Sequence, residues 1–183
     1  TSLFNGPYKN TNLAKAVRRA MQAKDREFVA TMEDYERYEP SYNLPASFIA
    51  APIFEGNKII GVLAFQIPIE KIDKVMQESS GLGETGESFL IGNDFLMRTS
   101  SRFSKESTVL TQKIETKSSK SAIAKRSGIL ETLNFKGQKV WSAYAPVNIN
   151  GLHWGIITEI TEEEVMKPIQ QLGMFILIIA GVI

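Results

Sequence analysis

The chain has 183 residues, 43% apolar and 22% charged, which is enough to bury a hydrophobic core and too apolar for wholesale disorder. Twenty-one Lys and Arg against 20 Asp and Glu give a formal charge of +1, so the electrostatic footprint of a nucleic-acid binder is missing. With no Cys and one His, His153, zinc sites built on cysteine ligands and a Cys nucleophile are excluded, and a Ser-His-Asp triad would need His153 as its base.

The chain opens on Thr1-Ser-Leu-Phe-Asn-Gly-Pro-Tyr8, without a starting Met, a basic region or an apolar leader, and reads as the middle of something longer. Residues 12–23 place Leu13, Val17, Ala20 and Met21 at helical spacing and predict a helix. The stretch 33–42, Glu-Asp-Tyr-Glu-Arg-Tyr-Glu-Pro-Ser-Tyr, is expected to be a loop facing a sheet. It has two readings: a solvated acidic loop, and a lid whose Asp34, Tyr38 and Tyr42 meet Ser47 and Gln66 around a polar ligand, since pockets combine an apolar wall with a few convergent polar groups.

An internal repeat follows. Ala51-Pro-Ile53, seven residues, then Gly61-Val-Leu-Ala64 recurs 94 residues later as Ala145-Pro-Val147, seven residues, then Gly155-Ile-Ile-Thr158. In each copy two apolar, β-rich runs flank a turn, Glu55-Gly-Asn57 in the first and Asn148-Ile-Asn-Gly151 in the second, which predicts an antiparallel hairpin. Pro68 to Met76 carries Ile69, Ile72 and Met76 at helical spacing and reads as a linker helix. The Gly-x-Gly at Gly81 and Gly83 lacks the Lys-Ser/Thr of a P-loop and precedes a strand, so nucleotide binding is not expected.

Glu87 to Thr99 predicts a further hairpin turning at Asn93-Asp94. Its counterpart in the first copy would fall before residue 6, so the first module is expected to be incomplete. Residues 118–126 give a weaker helix. Arg98, Trp141, Tyr144 and Trp154 suggest either a second pocket or core packing, with core packing expected for both Trp residues, an ion-pair or surface role for Arg98 and Arg102, and an exposed His153.

Thr161-Glu-Glu-Glu164 predicts a capping box with three carboxylates at the positive end of a helix dipole. Pro168 then either kinks that helix or separates two helices. The charge-free run 172–183 is either a buried terminal helix or the first half of a transmembrane segment, which takes roughly 20 apolar residues; the second is expected. The predicted fold is α+β: two tandem PAS-like modules, each an antiparallel sheet with flanking helices, at 1–78 and 79–161, the first lacking its first strands and N-terminal helix, then a signalling helix and the start of a transmembrane segment at 162–183.

Gly81-Leu-Gly-Glu-Thr-Gly-Glu-Ser-Phe-Leu-Ile-Gly-Asn-Asp-Phe-Leu-Met-Arg-Thr-Ser-Ser-Arg-Phe103, with Val140-Trp-Ser-Ala-Tyr-Ala-Pro146 and Gly151-Leu-His-Trp-Gly-Ile-Ile-Thr-Glu159, resembles the membrane-proximal half of double Cache sensor domains. These occur on bacterial methyl-accepting chemotaxis receptors and on related cyclases and histidine kinases. Gly6-Pro-Tyr-Lys-Asn-Thr-Asn-Leu-Ala14 is similar to the start of the distal module after its first two strands. The resemblance implies an extracytoplasmic, periplasmic sensor anchored in the cell membrane, a homodimer in the full receptor, with a ligand in the distal module, no catalysis and no cofactor.

Amino-acid-binding members of that family place an Asp at the end of the strand that here reads Gly61 to Gln66. Gln66 offers an amide without charge, which points away from a standard amino acid and toward an organic acid or similar small polar ligand. A cytoplasmic PAS-like binding domain and an enzyme are the competing classes; for the enzyme, no carboxylate pair is tied to a nucleophile, metal set or phosphate loop.

Overall fold

A computed structural model describes residues 2–24, 28 and 30–180, apart from the side chains of 175–178 and 180. The elements run α1 (Asn12–Ala20), β1 (Thr31–Tyr38), a 3-10 turn (Glu39–Ser41), β2 (Leu44–Glu55), β3 (Lys58–Ile67), α2 (Ile69–Met76), β4 (Glu87–Ile91), α3 (Lys117–Ile123), β5 (Gly128–Leu133), β6 (Lys139–Val147), β7 (Trp154–Thr161) and α4 (Glu162–Ala180). Two sheets form, in the orders β1-β2-β3 and β4-β7-β6-β5, with every neighbouring pair antiparallel.

Thr11 starts α1, its hydroxyl accepting from the Ala14 amide at 3.3 Å. Of the predicted apolar face of this helix, Ala20 and Leu13 reach the sheet, whereas Ala16, outside that face, carries part of the real contact. Ala16 and Ala20 are solvent-free against Ala46 and Ala50 of β2, while Met21 is half exposed. Small side chains on both surfaces let the helix approach closely enough for Asn12 Nδ2 to donate to the carbonyls of Asp34 and Ala46. The larger Leu13, Val17 and Met21 lie to one side, along a groove of about 630 Å³ shared with Ile60 and Leu63.

The β2-β3 hairpin turns where expected, with Gly56 at φ +59°. Its counterpart is β6-β7, and the pairings Ala51 with Leu63 and Ala145 with Ile156 differ by one residue once the 94-residue offset is removed. In the second sheet Phe89, Ile91, Met97, Ile114 and Ile157 form a nearly solvent-free core, each such side chain contributing about 1.5–3 kcal/mol by leaving water. Thr116 and Ser119 build a capping box at the start of α3, and Ala122 packs onto Gly155, where an added Cβ would lie 2.7 Å from the Ala122 methyl.

Two sequence expectations change. The stretch 33–42 is mostly strand: 33–38 lie in β1, where Tyr35 and Tyr38 are buried, and only the 3-10 turn and Tyr42-Asn43 leave the sheet. The predicted 87–99 hairpin turns at 93–94 as expected, but its second arm is short: the Gly92 amide donates to the Leu96 carbonyl at 3.0 Å, the Arg98 amide to the Leu90 carbonyl at 2.7 Å, and Ile91 bridges Met97. Met97 also hydrogen-bonds with the backbone of Leu110 and Gln112, so the returning arm lies between β4 and a segment further along the chain.

The last helix runs unbroken through Pro168 to Ala180. It is not a buried terminal helix, since Ile169, Leu172, Met174 and Ile179 are 60–64% exposed. Among the described residues no helix is long and apolar enough to cross a membrane, and 181–183 lie outside them. Only half of the predicted capping box exists. Thr161 Oγ1 accepts from the Glu164 amide at 3.3 Å, but the Glu164 carboxylate turns to the loop before β4 and accepts from the amides of Glu84 (2.7 Å) and Thr85 (2.8 Å) and from the Thr85 hydroxyl. Those donors hold its carboxyl down to about 2, the Thr85 hydroxyl first among them.

Candidate ligand site and the junction between the sheets

Strand alternation divides the five candidate ligand residues between the two faces of the first sheet. Tyr38 packs edge-on against Phe48, with ring centroids 5.0 Å apart, on the face covered by α1. Gln66 is opposite Phe48 in the β2-β3 ladder and shares that face. The 3-10 turn folds back so that Ser41 Oγ donates to Gln66 Oε1 at 3.3 Å. Tyr38, Ser41 and Gln66 therefore gather at one end of the sheet. Burial raises the Tyr38 phenol above its ordinary value, so it stays a neutral hydroxyl.

The other three are placed differently. Tyr42 is 92% exposed, at φ +57° where the turn ends. Ser47 is solvent-free, and its hydroxyl donates to the Glu33 carbonyl at 2.7 Å. Asp34 points away from α1, to the second sheet, where its partners converge. Arg98 Nε and Nη2 donate to its two oxygens at 2.8 and 2.9 Å, and Trp154 Nε1 donates to Oδ1 at 2.8 Å.

The junction around Asp34 is built from several elements. Arg98, with 3% of its side chain exposed, also pairs with Asp94 at 3.0 Å and donates to the Leu96 carbonyl at 2.8 Å. Burial opposes the charge on this guanidinium, and the hydrogen bonds to Asp34 and Asp94 outweigh it, raising its pKa. Gly92 makes room: a Cβ there would lie 2.0 Å from Arg98 Nη2. Tyr35 stacks on Trp154 at 5.8 Å, within a cluster that includes Leu90, Leu152 and the predicted α2 face of Ile69, Ile72 and Met76.

Two backbone ties complete it. Asp73 of α2 accepts from the Ser100 amide at 2.7 Å, and the Met32 amide donates to the Asn150 carbonyl at 3.2 Å. Gly151 sits at φ +90° against the Met32 carbonyl, where a Cβ would approach to 2.1 Å. Trp154 is thus a core residue as expected, whereas Trp141, on the same face of the second sheet but at the far end of the β6-β7 ladder, is 41% exposed. Arg98 is an ion-pair residue, as one expected role had it, and it is buried. His153 is exposed, as expected.

Sequence reasoning reached Asp34, Arg98 and Trp154 separately but not their convergence, because they are 64 and 120 positions apart. It missed Glu87 and Glu159, which face each other across β4 and β7 and are 7% and 5% exposed. The signal available was a Glu inside each of two strands otherwise patterned for burial.

The α+β arrangement of antiparallel sheets with four helices defines the class. The Cache domain model matches residues 7–169, and the chain belongs to that family. Among solved structures it is similar to the periplasmic sensory domain of the Campylobacter jejuni chemoreceptor Tlp1 (17% identity, 88% of this chain and 58% of that one, TM-score 0.64). It is similar to the ligand-binding domain of the Pseudomonas aeruginosa amino acid chemoreceptor PctB in complex with L-Arg (18%, 91% and 65%, TM-score 0.57). It is also similar to the extracellular domain of mmHK1S-Z2, a protein taken to be a histidine kinase (17%, 90% and 63%, TM-score 0.60). The chain spans 53–65% of the length of these and the other leading structural matches. No match is found among curated proteins.

Proposed function

We propose that this chain is the ligand-sensing part of a bacterial transmembrane receptor, held outside the cytoplasm, in which the first sheet receives a small polar molecule and the second passes the change to α4. The chain catalyses nothing in this reading; its output is a conformational signal to a chemoreceptor or histidine kinase module. The observation that carries it is the buried Asp34-Arg98-Trp154 junction, which joins the two sheets and would be an unusual place for charge unless their relative position mattered. Glu164 supports the second half of the path, since it clasps the start of α4 to the loop before β4.

The two sheets correspond to tandem modules, with the boundaries read from the sequence, and α4 leads toward the membrane of a dimeric receptor. The ligand site lies at the Tyr38, Ser41 and Gln66 end of the first sheet. Tyr42 stands at the rim, while Asp34 and Ser47 shape the sheet from behind through their protein partners. The related PctB and CtaA domains were solved with amino acids. Here the uncharged Gln66 at the strand end favours a carboxylate or other organic acid, because an ammonium would find no charge partner among Tyr38, Ser41 and Gln66.

The test is thermal unfolding of the receptor's sensor region against separate panels of organic acids and amino acids. A ligand present at 100 times its Kd adds about 2.7 kcal/mol to the folded state and raises the midpoint by several degrees. Stabilisation by an organic acid that is lost in Gln66→Ala is the expected result. Stabilisation by ordinary amino acids alone would overturn the ligand class.

A further inference from the structure

The second sheet carries an arrangement that the sensing path does not use. Glu87 and Glu159 are directly opposite in the β4-β7 ladder, and both are more than nine-tenths buried. Their side chains therefore share a face, where directly opposed like charges are destabilising. Both line a cavity of about 240 Å³ with Thr85, Thr161, Phe103 and Lys136. Ser101 Oγ donates to Glu87 at 2.6 Å and Ser142 Oγ to Glu159 at 3.3 Å, and among the described residues neither carboxylate forms an ion pair.

The charged groups facing Glu159 are few. Strand β4 contributes Glu87, the loop before it Glu84, and the β5-β6 turn Lys136, whose ammonium lies over the Phe135 and Phe103 rings at 5.3 and 5.9 Å. On β6 the neighbouring positions are Val140 and Ser142, which carry no charge. Arg102 is nearby but donates to the carbonyls of Gly83 and Glu84.

The position of the pair gives it a consequence. One rung along the same face, Thr85 meets Thr161 hydroxyl to hydroxyl at 2.9 Å, and that rung is where Glu164 fastens α4. The Glu87-Glu159 rung is thus two residues along the chain from Thr85 on one side and from Thr161, the residue before α4, on the other.

We propose that Glu87 and Glu159 form a proton-operated switch in the second sheet: with a proton on the pair the strands close and the Thr85-Thr161-Glu164 clasp is tight, and when it leaves, repulsion opens the rung and loosens the root of α4. The proton goes to solvent through the cavity and no bond between heavy atoms changes. Burial is the main cause of a Glu159 carboxyl raised to about 7, with the Ser142 hydrogen bond opposing and Glu87 adding to the rise. A folded-state value above the ordinary 4.5 makes the folded state lose stability as pH rises from about 4.5 through about 7. The device needs no ligand in the first sheet, so it goes beyond the ligand reading and stands or falls separately.

The experiment is a carbon-13 titration of the Glu side-chain carboxyls in the unaltered chain, with amide shifts of Thr85 and Glu164 recorded in the same samples. The expected result is a Glu159 midpoint near 7, with both amides moving at that same midpoint. A Glu159 midpoint near 4.5, or amides that stay still while it titrates, would overturn the switch. Two variants separate the causes. Glu87→Gln should lower the midpoint only in part, because burial remains, and Glu159→Gln should remove the amide transition and flatten the fall in Tm as pH rises from about 4.5 through about 7. An unchanged midpoint in Glu87→Gln would refute the coupling of the pair.

Discussion

Replacing Asp34 by Ala tests whether the junction between the sheets is the consequential contact that its geometry indicates. The substitution strips two hydrogen bonds from a guanidinium with 3% exposure and removes the acceptor of Trp154 Nε1. Deleting one partner of a buried pair costs roughly 3–5 kcal/mol. Here Asp94 still holds Arg98 at 3.0 Å and the Asp34 side chain is 30% exposed, so the lower end of that range, about 3 kcal/mol, is expected even with the Trp154 donor left unpaired. For a chain of this size that is a fall of about 6–12 °C in Tm. Urea unfolding of Asp34→Ala, Arg98→Met and the double variant measures it. Because each single change leaves a buried partner without its mate, the double variant should recover at least about 1 kcal/mol relative to the sum. A loss below about 1 kcal/mol in Asp34→Ala, or strict additivity in the cycle, would show that the junction is incidental.

Gly151→Ala should destabilise and loosen the tie to β1 together, since a Cβ at φ +90° would meet the Met32 carbonyl; faster exchange of the Met32 amide checks it. Ala16→Leu should cost about 1–3 kcal/mol by forcing α1 off Ala46 and Ala50, read as a lower urea midpoint at unchanged slope. Glu164 has a carboxyl held near 2, below the ordinary 4.5, so its clasp stabilises above about pH 4.5 and is lost as pH falls through about 2; protection of the Thr85 amide and the first turn of α4, relative to intrinsic exchange at each pH, should fall over that interval and be low at every pH in Glu164→Ala. Tyr38→Phe should keep stability within about 0.5 kcal/mol while weakening the organic-acid response, whereas Tyr38→Ala should lower both, as comparison of urea curves with ligand titrations would show.

The elements that could be read from the sequence are those whose pattern is set by near neighbours. Ile69, Ile72 and Met76 marked α2 because a helical period is visible within one short stretch, and Gly56 marked its hairpin because a turn at positive φ needs a residue without a Cβ. The face of α1 was read only in part, for a reason of the same kind. Periodicity ranks side chains by hydrophobicity, so the predicted face of Leu13, Val17, Ala20 and Met21 took in Ala20 but passed over Ala16, yet a helix lying close on a sheet selects for smallness. The stretch 33–42 was misread because its charges suggest a loop. In an edge strand such as β1, Glu36 and Arg37 can sit in solvent while Tyr35 and Tyr38 are buried.

The site shows the complementary limit. Gln66 drew attention through its strand-end position, and its contact with Ser41, which crosses 25 residues by way of one hairpin, is the kind of contact local topology brings about. Asp34 was singled out as a lid residue meeting a ligand, whereas its side-chain partners are Arg98 and Trp154, which reach it only after the second sheet has formed around Ile91, Met97 and Ile157. An isolated acidic side chain on a half-buried strand face carries no record of which cation will meet it. What the sequence does record is the cost of leaving it unmet: a carboxylate beside two tyrosines destined for burial must find a donor pair or be protonated, and Arg98, beside Asp94 and behind a glycine at position 92, is positioned to supply one. The same reasoning applied to Glu87 and Glu159 finds only serine hydroxyls, and that difference separates a carboxylate anchored by an ion pair from two buried ones that meet no cation among the described residues.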